Sequence, residues 1–137
     1  MAFLKVLLVE DNPADVDLLL ECLNPAQPSL SVHVVHDGAS AIDYLKRGSP
    51  THVVILDLNL PGMSGYDVLS QIKHDAQLRQ TPVVVLTHSD APRDVARTYE
   101  LGANCYITKP ASLQGFRHVV KQLEDFWFGL VRLPLPH

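Results

Sequence analysis

Short apolar runs alternate along the chain with longer stretches in which apolar positions recur every three or four residues. Phe3–Val9 is nearly all apolar, as a strand covered on both faces should be. Val32–Val35 is a weaker run broken by His33, and His52–Leu56 is a third, rich in Val and Ile. Pro82–Leu86 is a fourth, opened by a proline where the missing N–H does least harm, and Cys105–Thr108 is a short fifth. Between the runs the spacing predicts helices. Asn12-Pro13 reads as an N-cap followed by proline at the first helical position, opening a helix to about Leu23 that stops near Asn24-Pro25. A second helix covers about Ala39–Lys46. A third opens near Gly65 with Val68, Leu69 and Ile72 on one face. A fourth runs from about Arg93 to Leu101 and stops at Gly102, and a fifth runs from Leu113 to Phe128, with Ser112 as a candidate cap. Its Phe116, Val119, Val120, Leu123 and Trp127 follow the helical period.

Five strands alternating with five helices predict an α/β fold, (βα)5, with a doubly wound parallel five-stranded sheet. Right-handed crossovers restrict the topology, and strand order 2-1-3-4-5 is the expected one. The chain's 137 residues suit one domain, and 47% apolar residues suffice for its core. Residues 1–130 are expected to form that domain and residues 131–137 a C-terminal tail. Asn24–Ser29 and Arg132–His137 read as the loose segments. The net charge is −4 and no basic stripe is present, so no nucleic-acid partner is expected. No apolar run spans a bilayer, and Met1-Ala2-Phe3-Leu4-Lys5 does not open a signal peptide, so no membrane partner is expected and a cytoplasmic location is. Cys22 and Cys105 read as buried, unlinked thiols.

In such sheets the functional crevice lies at the carboxyl ends of the strands. Strand one ends in Glu10-Asp11, strand three in Asp57, strand four in Thr87 and strand five in Thr108-Lys109-Pro110. Crowded carboxylates disfavour one another's ionisation, and a hard divalent cation relieves that. Mg²⁺ favours a few carboxylates with water and phosphate oxygens. Asp11 and Asp57 are expected as direct ligands, Glu10 with its longer arm through water, and the Asn59 main-chain carbonyl as a further donor. Lys109 can pair with a carboxylate or a phosphoryl oxygen as a point charge. Pro110 biases it towards extended backbone, with the bond between them open to either isomer. A Thr87 hydroxyl can donate to a phosphoryl oxygen. Together these groups suggest phosphoryl transfer to a carboxylate, with Asp57 as the nucleophile.

These segments resemble the receiver domain of two-component response regulators. They are Leu8-Val9-Glu10-Asp11-Asn12, Leu56 to Gly65, Val85-Leu86-Thr87-His88-Ser89, Gly102-Ala103 and Tyr106-Ile107-Thr108-Lys109-Pro110, in that family's order and spacing over about residues 3–128. The resemblance implies a flavodoxin-like fold and a phosphoryl group accepted on Asp57 from a histidine kinase or phosphotransfer protein. It implies roles for Glu10 and Asp11 as the acidic pair, Thr87 as switch hydroxyl, Lys109 as paired lysine and Tyr106 as the aromatic that turns with the threonine. Glu10 stands where aspartate is commoner, which bears on Mg²⁺ affinity. His88 stands where the family usually has a small residue; it is either a restriction on access to the site or a tolerated exposed side chain. Glu10 to Asp15, Asn104 to Lys109 and Glu124-Asp125-Phe126-Trp127 are similar to the small stand-alone regulators paired with bacterial and cyanobacterial phytochromes, which implies a phytochrome-type light-sensing kinase as donor.

The last helix carries more apolar surface than one face can hide. Phe126, Trp127, Phe128 and Leu130 are expected at a homodimer contact, with the tail either joining it or folding over its own domain. The chain stops too soon for a DNA-binding helix-turn-helix, so the signal is expected to pass by docking or by phosphorelay. Three other readings remain. A haloacid-dehalogenase-like phosphatase would carry its nucleophile on strand one. A degenerate receiver would lack Asp57 or Lys109. A flavodoxin-like cofactor binder would need a phosphate-cradling loop where Glu10-Asp11 puts negative charge.

Overall fold

The computed structural model describes residues 4–23 and 30–136. It contains strands β1 (Leu4–Val9), β2 (Leu30–Val35), β3 (Val53–Leu56), β4 (Val83–Thr87) and β5 (Cys105–Thr108). The helices are α1 (Pro13–Leu23), α2 (Gly38–Lys46), α3 (Gly65–His74), α4 (Pro92–Glu100) and α5 (Leu113–Asp125), the last running into a π-helical turn at Phe126–Leu130. All strands pair in parallel in the order β2-β1-β3-β4-β5, as expected. The calls on Phe3, Asn24–Ser29 and His137 lie outside the described residues.

The side-chain alternation of the strands divides the core into two layers. Leu7 and Val9 of β1, Val54 and Leu56 of β3, and Val83 and Val85 of β4 meet α2 and α3 through Ala41, Ile42, Leu45, Val68, Leu69 and Ile72. The intervening Val6, Leu8, Val53, Ile55, Val84 and Leu86 meet α1 and α5 through Leu19, Leu23, Phe116, Val120 and Leu123, and the π-helical turn through Trp127. Each fully buried leucine contributes about 1.5–3 kcal/mol. β2 starts at Leu30, two residues earlier than the apolar run suggested. It is an edge strand whose Ser31 and His33 face outward, and only its end residues Leu30 and Val35 are buried.

The helix starts obey local chemistry. Asn12 Oδ1 accepts from the Ala14 and Asp15 amides at 3.0 and 3.2 Å, capping α1 as expected. Asp37, Ser64 and Ser112 cap α2, α3 and α5 in the same way. Gly102 ends α4 with φ +103°, a conformation an L side chain resists. Two expectations on the C-terminal region change. The α-helical geometry of the fifth helix ends at Asp125, and the π turn follows. The tail is not wholly loose, because Val131 and Leu133 pack onto the α1/α5 side of the core. Cys22 and Cys105 are free thiols but only half-buried. No helix among the described residues is long and apolar enough to cross a membrane.

Candidate functional site

Alternation also sorts the functional residues. Glu10, Asp57 and Lys109 each follow the strand residue that faces α2 and α3, or continue the row facing α1 and α5, and so belong to the α1 side of the sheet. Thr87 continues the row of Val83 and Val85 and belongs with Tyr106 to the opposite side.

On the α1 side, Lys109 Nζ donates to Asp57 Oδ2 at 2.9 Å, to Asp15 Oδ2 at 2.8 Å, and to Glu10 Oε1. Its side chain is fully buried, and Glu10 and Asp57 are 2% and 5% exposed. No described peptide bond is cis, so Lys109 reaches its partners across an ordinary Lys109–Pro110 bond; its own amide donates to the Thr87 carbonyl at 2.7 Å. Asp57 is fixed at the end of β3 by its amide, which donates to Val9 O at 3.0 Å, and its Oδ1 accepts from the Asn59 amide at 3.0 Å. Glu10 Oε2 accepts from the Asn12 amide at 3.2 Å.

Asp15 was not among the residues expected at the site. It occupies the first turn of α1, where an acid is already explained by the helix dipole, and that explanation hid its second role. The signal was its place one turn beyond Glu10-Asp11, on the helix that starts at the strand end.

The charges are unevenly held. Burial, reinforced by the neighbouring Asp57 charge, pushes the Glu10 carboxyl up to about 7 despite its bond to Lys109. Burial opposes ionisation of Asp57 too, but the Asn59 amide and the Lys109 ammonium outweigh it and hold Asp57 below the usual aspartate range. Burial works against the Lys109 charge, but Asp15, Glu10 and Asp57 outweigh it and keep the ammonium above the ordinary lysine value. The three carboxyl partners thus favour the charged form of Lys109.

Glu10, Asp11 and Asp57 each offer a carboxylate oxygen within 4.8 Å of the others. An all-oxygen, anionic donor set of this size fits a hard divalent cation. Asp11 is exposed, in a cleft of about 420 Å³ lined also by Asn12, Asp15, Asp57, Asn59 and His88. The His88 side chain is 55% exposed, with Nε2 3.4 Å from Asp15 Oδ2 at the edge of that cleft. The expectation for Glu10 is revised in one respect: besides lying in the acidic cluster, it is a direct partner of Lys109.

On the other side, Thr87 is fully buried and its hydroxyl has no hydrogen-bond partner among the described residues. The Tyr106 hydroxyl donates to the Ser89 carbonyl at 2.8 Å. Sequence reasoning missed a network beside it. Asp94 of α4 accepts from the Tyr66 hydroxyl of α3 and from the Ser89 hydroxyl, both at 2.5 Å.

The backbone here tolerates little change. A Cβ on Gly65 would lie 2.4 Å from Asp57 O and 2.5 Å from Leu58 Cα, so α3 can start against the Asp57 turn only because residue 65 is glycine. Gly65→Ala is expected to destabilise the fold by about 1–3 kcal/mol. Urea unfolding should show the midpoint falling with an unchanged slope.

Of the four residues expected at a dimer contact, the chain's own core covers Trp127 and half-buries Phe128. Phe126 and Leu130 stay 47% and 72% exposed. Phe126 and Trp127 meet edge-on, 5.5 Å between centroids, beside an apolar groove of about 220 Å³ that Cys105, Ile107 and Val119 also line.

Comparison with known proteins agrees with this geometry. The family model described as "Response regulator receiver domain" matches residues 6–121. The chain is 39% identical to Response regulator Rcp1 of Synechocystis sp., over 94% of this chain and 92% of that protein. It is 38% identical to the probable methanogenesis regulatory protein FilR2 of Methanothrix harundinacea, over 96% and 88%. Its structure is similar to that of the phosphorylated cyanobacterial phytochrome response regulator RcpA, with TM-score 0.93 and 41% identity, covering 97% of this chain and 99% of that one. The Mn²⁺-bound form of Rcp1 superposes with TM-score 0.91 at 39% identity, covering 95% and 98%. A family match across both layers of the sheet, with relatives aligned over nearly their whole length, means that this chain belongs to the response regulator receiver domain family.

Proposed function

We infer that this receiver accepts a phosphoryl group on Asp57 from a partner histidine kinase, with Mg²⁺ as the divalent ion, and signals by docking or by phosphorelay. The observation that carries the reading is the buried Asp57 carboxylate paired with the Lys109 ammonium, next to a strand end whose Thr87 hydroxyl has no partner among the described residues. In the transfer, an Asp57 oxygen forms a bond to phosphorus as the phosphorus–nitrogen bond of a phosphohistidine breaks. The bonding pair returns to the imidazole. Glu10, Asp11, Asp57 and the Asn59 main-chain carbonyl would hold the Mg²⁺. When bound, the ion supplies positive charge that lets an anionic phosphoryl group approach an anionic carboxylate. The Lys109 ammonium adds to that charge, the Asn59 amide holds Asp57 in place, and the Thr87 hydroxyl donates to a phosphoryl oxygen. Tyr106 follows the movement of Thr87 and carries it to the α4 side.

The likeness to RcpA supports a phytochrome-type light-sensing kinase as the donor. The free thiols Cys22 and Cys105 suit the reducing cytoplasm in which such an exchange would occur. The chain is a signalling module that assists its own phosphorylation and dephosphorylation. Incubation with acetyl phosphate and Mg²⁺ should add one phosphoryl group to the intact mass, and incubation with EDTA should add none. Failure to label with acetyl phosphate, and again with a phosphorylated phytochrome-type kinase, would sink the reading and leave a fold used only for binding.

Phe126 and Leu130, exposed beside the Phe126–Trp127 groove, support a homodimer formed by the end of α5 and the tail. Truncation after Trp127 should therefore yield a monomer in sedimentation velocity. An unchanged association state would place the contact elsewhere.

A further inference from the structure

A lysine ammonium carries three N–H donors, and Lys109 Nζ meets three carboxylates: Glu10 Oε1, Asp15 Oδ2 at 2.8 Å and Asp57 Oδ2 at 2.9 Å. With one N–H to each, none is left for a phosphoryl oxygen. Once Asp57 carries a phosphoryl group, Lys109 must give up one of these contacts to meet it. The three partners differ in how readily they can be released. The Glu10 and Asp57 side chains are 2% and 6% exposed, and the other oxygen of each is held by a main-chain amide, that of Asn12 at 3.2 Å and that of Asn59 at 3.0 Å. Releasing Glu10 would leave a shielded carboxylate without its cation, which is costly. Asp57 is joined to the phosphoryl group, so an ammonium that meets a phosphoryl oxygen stays beside it. Asp15 is the exception. Its side chain is 15% exposed and lines the open cleft with Asp57. Lys109 is the one side chain to which it hydrogen-bonds among the described residues. It stands in the first turn of α1, where the helix N-terminus favours a negative charge. The same Oδ2 lies 3.4 Å from His88 Nε2 at the cleft edge.

Resting on the reading of Asp57 as phosphoacceptor, we propose that Asp15 is a placeholder on Lys109, an anion that occupies the ammonium until a phosphoryl oxygen displaces it towards water and His88. Asp15 thereby sets how tightly the site holds a phosphoryl group. Each time the site fills, the contact between Asp15 and Lys109 is lost, and that loss is subtracted from the hold on the phosphoryl group. The Asp15 charge acts in the same direction, because it faces the arriving anion from the wall of the same cleft. His88 and the start of α1 lessen the cost by receiving the displaced carboxylate. No covalent bond changes in the exchange; one hydrogen bond from the ammonium to an anion replaces another.

The full chain is titrated with beryllofluoride, a stable mimic of an aspartyl-phosphate, at saturating Mg²⁺. It is compared with Asp15→Ala, Asp15→Asn, His88→Ala and the Asp15→Ala, His88→Ala double variant, and Mg²⁺ affinity is measured separately for each. Asp15→Ala is expected to tighten beryllofluoride binding about tenfold, the lower end of what a hydrogen bond to a charged group contributes. Asp15→Asn keeps the shape and a weaker acceptor, so it should tighten binding by less; it also keeps the test open if Asp15→Ala does not fold. Mg²⁺ affinity should not rise in either variant, since a carboxylate beside the acidic cluster has lost its charge. A residue that only supports the fold would not give this gain. His88→Ala should weaken beryllofluoride binding about twofold, the scale of an exposed ion pair. In the Asp15→Ala background it should change nothing, because the carboxylate that His88 receives is gone. Unchanged or weaker beryllofluoride binding in the folded Asp15 variants would overturn the proposal and mean that Lys109 turns from another partner. A parallel rise in Mg²⁺ affinity would overturn it too, by making the metal the cause. An equal effect of His88→Ala in both backgrounds would overturn the role given to His88. If the unsubstituted chain itself binds no beryllofluoride, the phosphoacceptor reading fails and the proposal falls with it; if it binds and the Asp15 variants match it, only the proposal fails.

Discussion

Asp57→Asn is expected to take up no detectable phosphoryl group from acetyl phosphate while remaining folded. The substitution changes one atom and keeps the shape. Asparagine keeps one acceptor oxygen and so retains one of the two contacts that the Asp57 oxygens make, with the Asn59 amide at 3.0 Å through Oδ1 or with Lys109 at 2.9 Å through Oδ2. The main-chain bond from residue 57 to Val9 O is untouched. What disappears is the anionic oxygen that attacks phosphorus, because a carboxamide is not a usable nucleophile at neutral pH. The variant also loses one of the three carboxylates clustered within 4.8 Å, and divalent affinity should fall roughly 10–100-fold or more, since even outer-sphere partners of a metal matter on that scale. Intact mass measures the first effect and calorimetric titration with Mg²⁺ the second. A phosphorylated variant would move the acceptor to another side chain. Unchanged metal affinity would remove Asp57 from the metal set.

Lys109→Ala carries the largest expected cost to stability. The ammonium serves Glu10, Asp15 and Asp57 at once, and two of these are almost wholly shielded from water. Removing one member of a buried ionic cluster typically costs about 3–5 kcal/mol, because the remaining charges are left without compensation. The effect has a definite pH signature. Without the cation, the two buried carboxyls, Glu10 and Asp57, hold their protons to higher pH in the folded state than in the unfolded state. The variant's deficit therefore grows as pH rises from the unfolded carboxyl value of about 4 through the folded values, and shrinks towards zero below it. Denaturant unfolding at pH 7.5 and pH 4 should show a large gap from the unsubstituted chain and a small one. Mg²⁺ at pH 7.5 should narrow the gap by replacing some of the lost positive charge. Phosphoryl uptake should fall about 10²–10³-fold, the usual effect of deleting one preorganised electrostatic group. A deficit independent of pH would point to lost packing instead of unpaired charge.

How much of this was legible in the chain depends on the range of the interactions involved. Asp57 stood out because four apolar strand residues precede it and a turn follows. The α1 cap was readable because Asn12 and the amides it serves are neighbours in sequence. The order of the strands followed from alternation and handedness. Asp15 was hidden by a sufficient local explanation, and the water-mediated metal role expected of Glu10 left out its bond to a lysine 99 residues away. The Tyr66–Asp94 bond was unreadable for another reason. α4 is largely polar, with Thr98 its one buried residue, so no apolar stripe announces which neighbour it meets. The burial of Trp127 was legible from helical period, but not the π turn at Phe126–Leu130, a change in backbone winding that the pattern does not encode.

The alternation of β1, β3, β4 and β5 has a practical corollary. The charged cluster on the α1 side and the Thr87 and Tyr106 side chains on the α3/α4 side lie on opposite faces of a single sheet. Surface positions around α4 are therefore open to re-engineering as a reporter. An environment-sensitive dye attached near Tyr99, which is 49% exposed and whose hydroxyl accepts from the Tyr106 amide at 3.1 Å, would register the receiver's state without burdening the groups that set it.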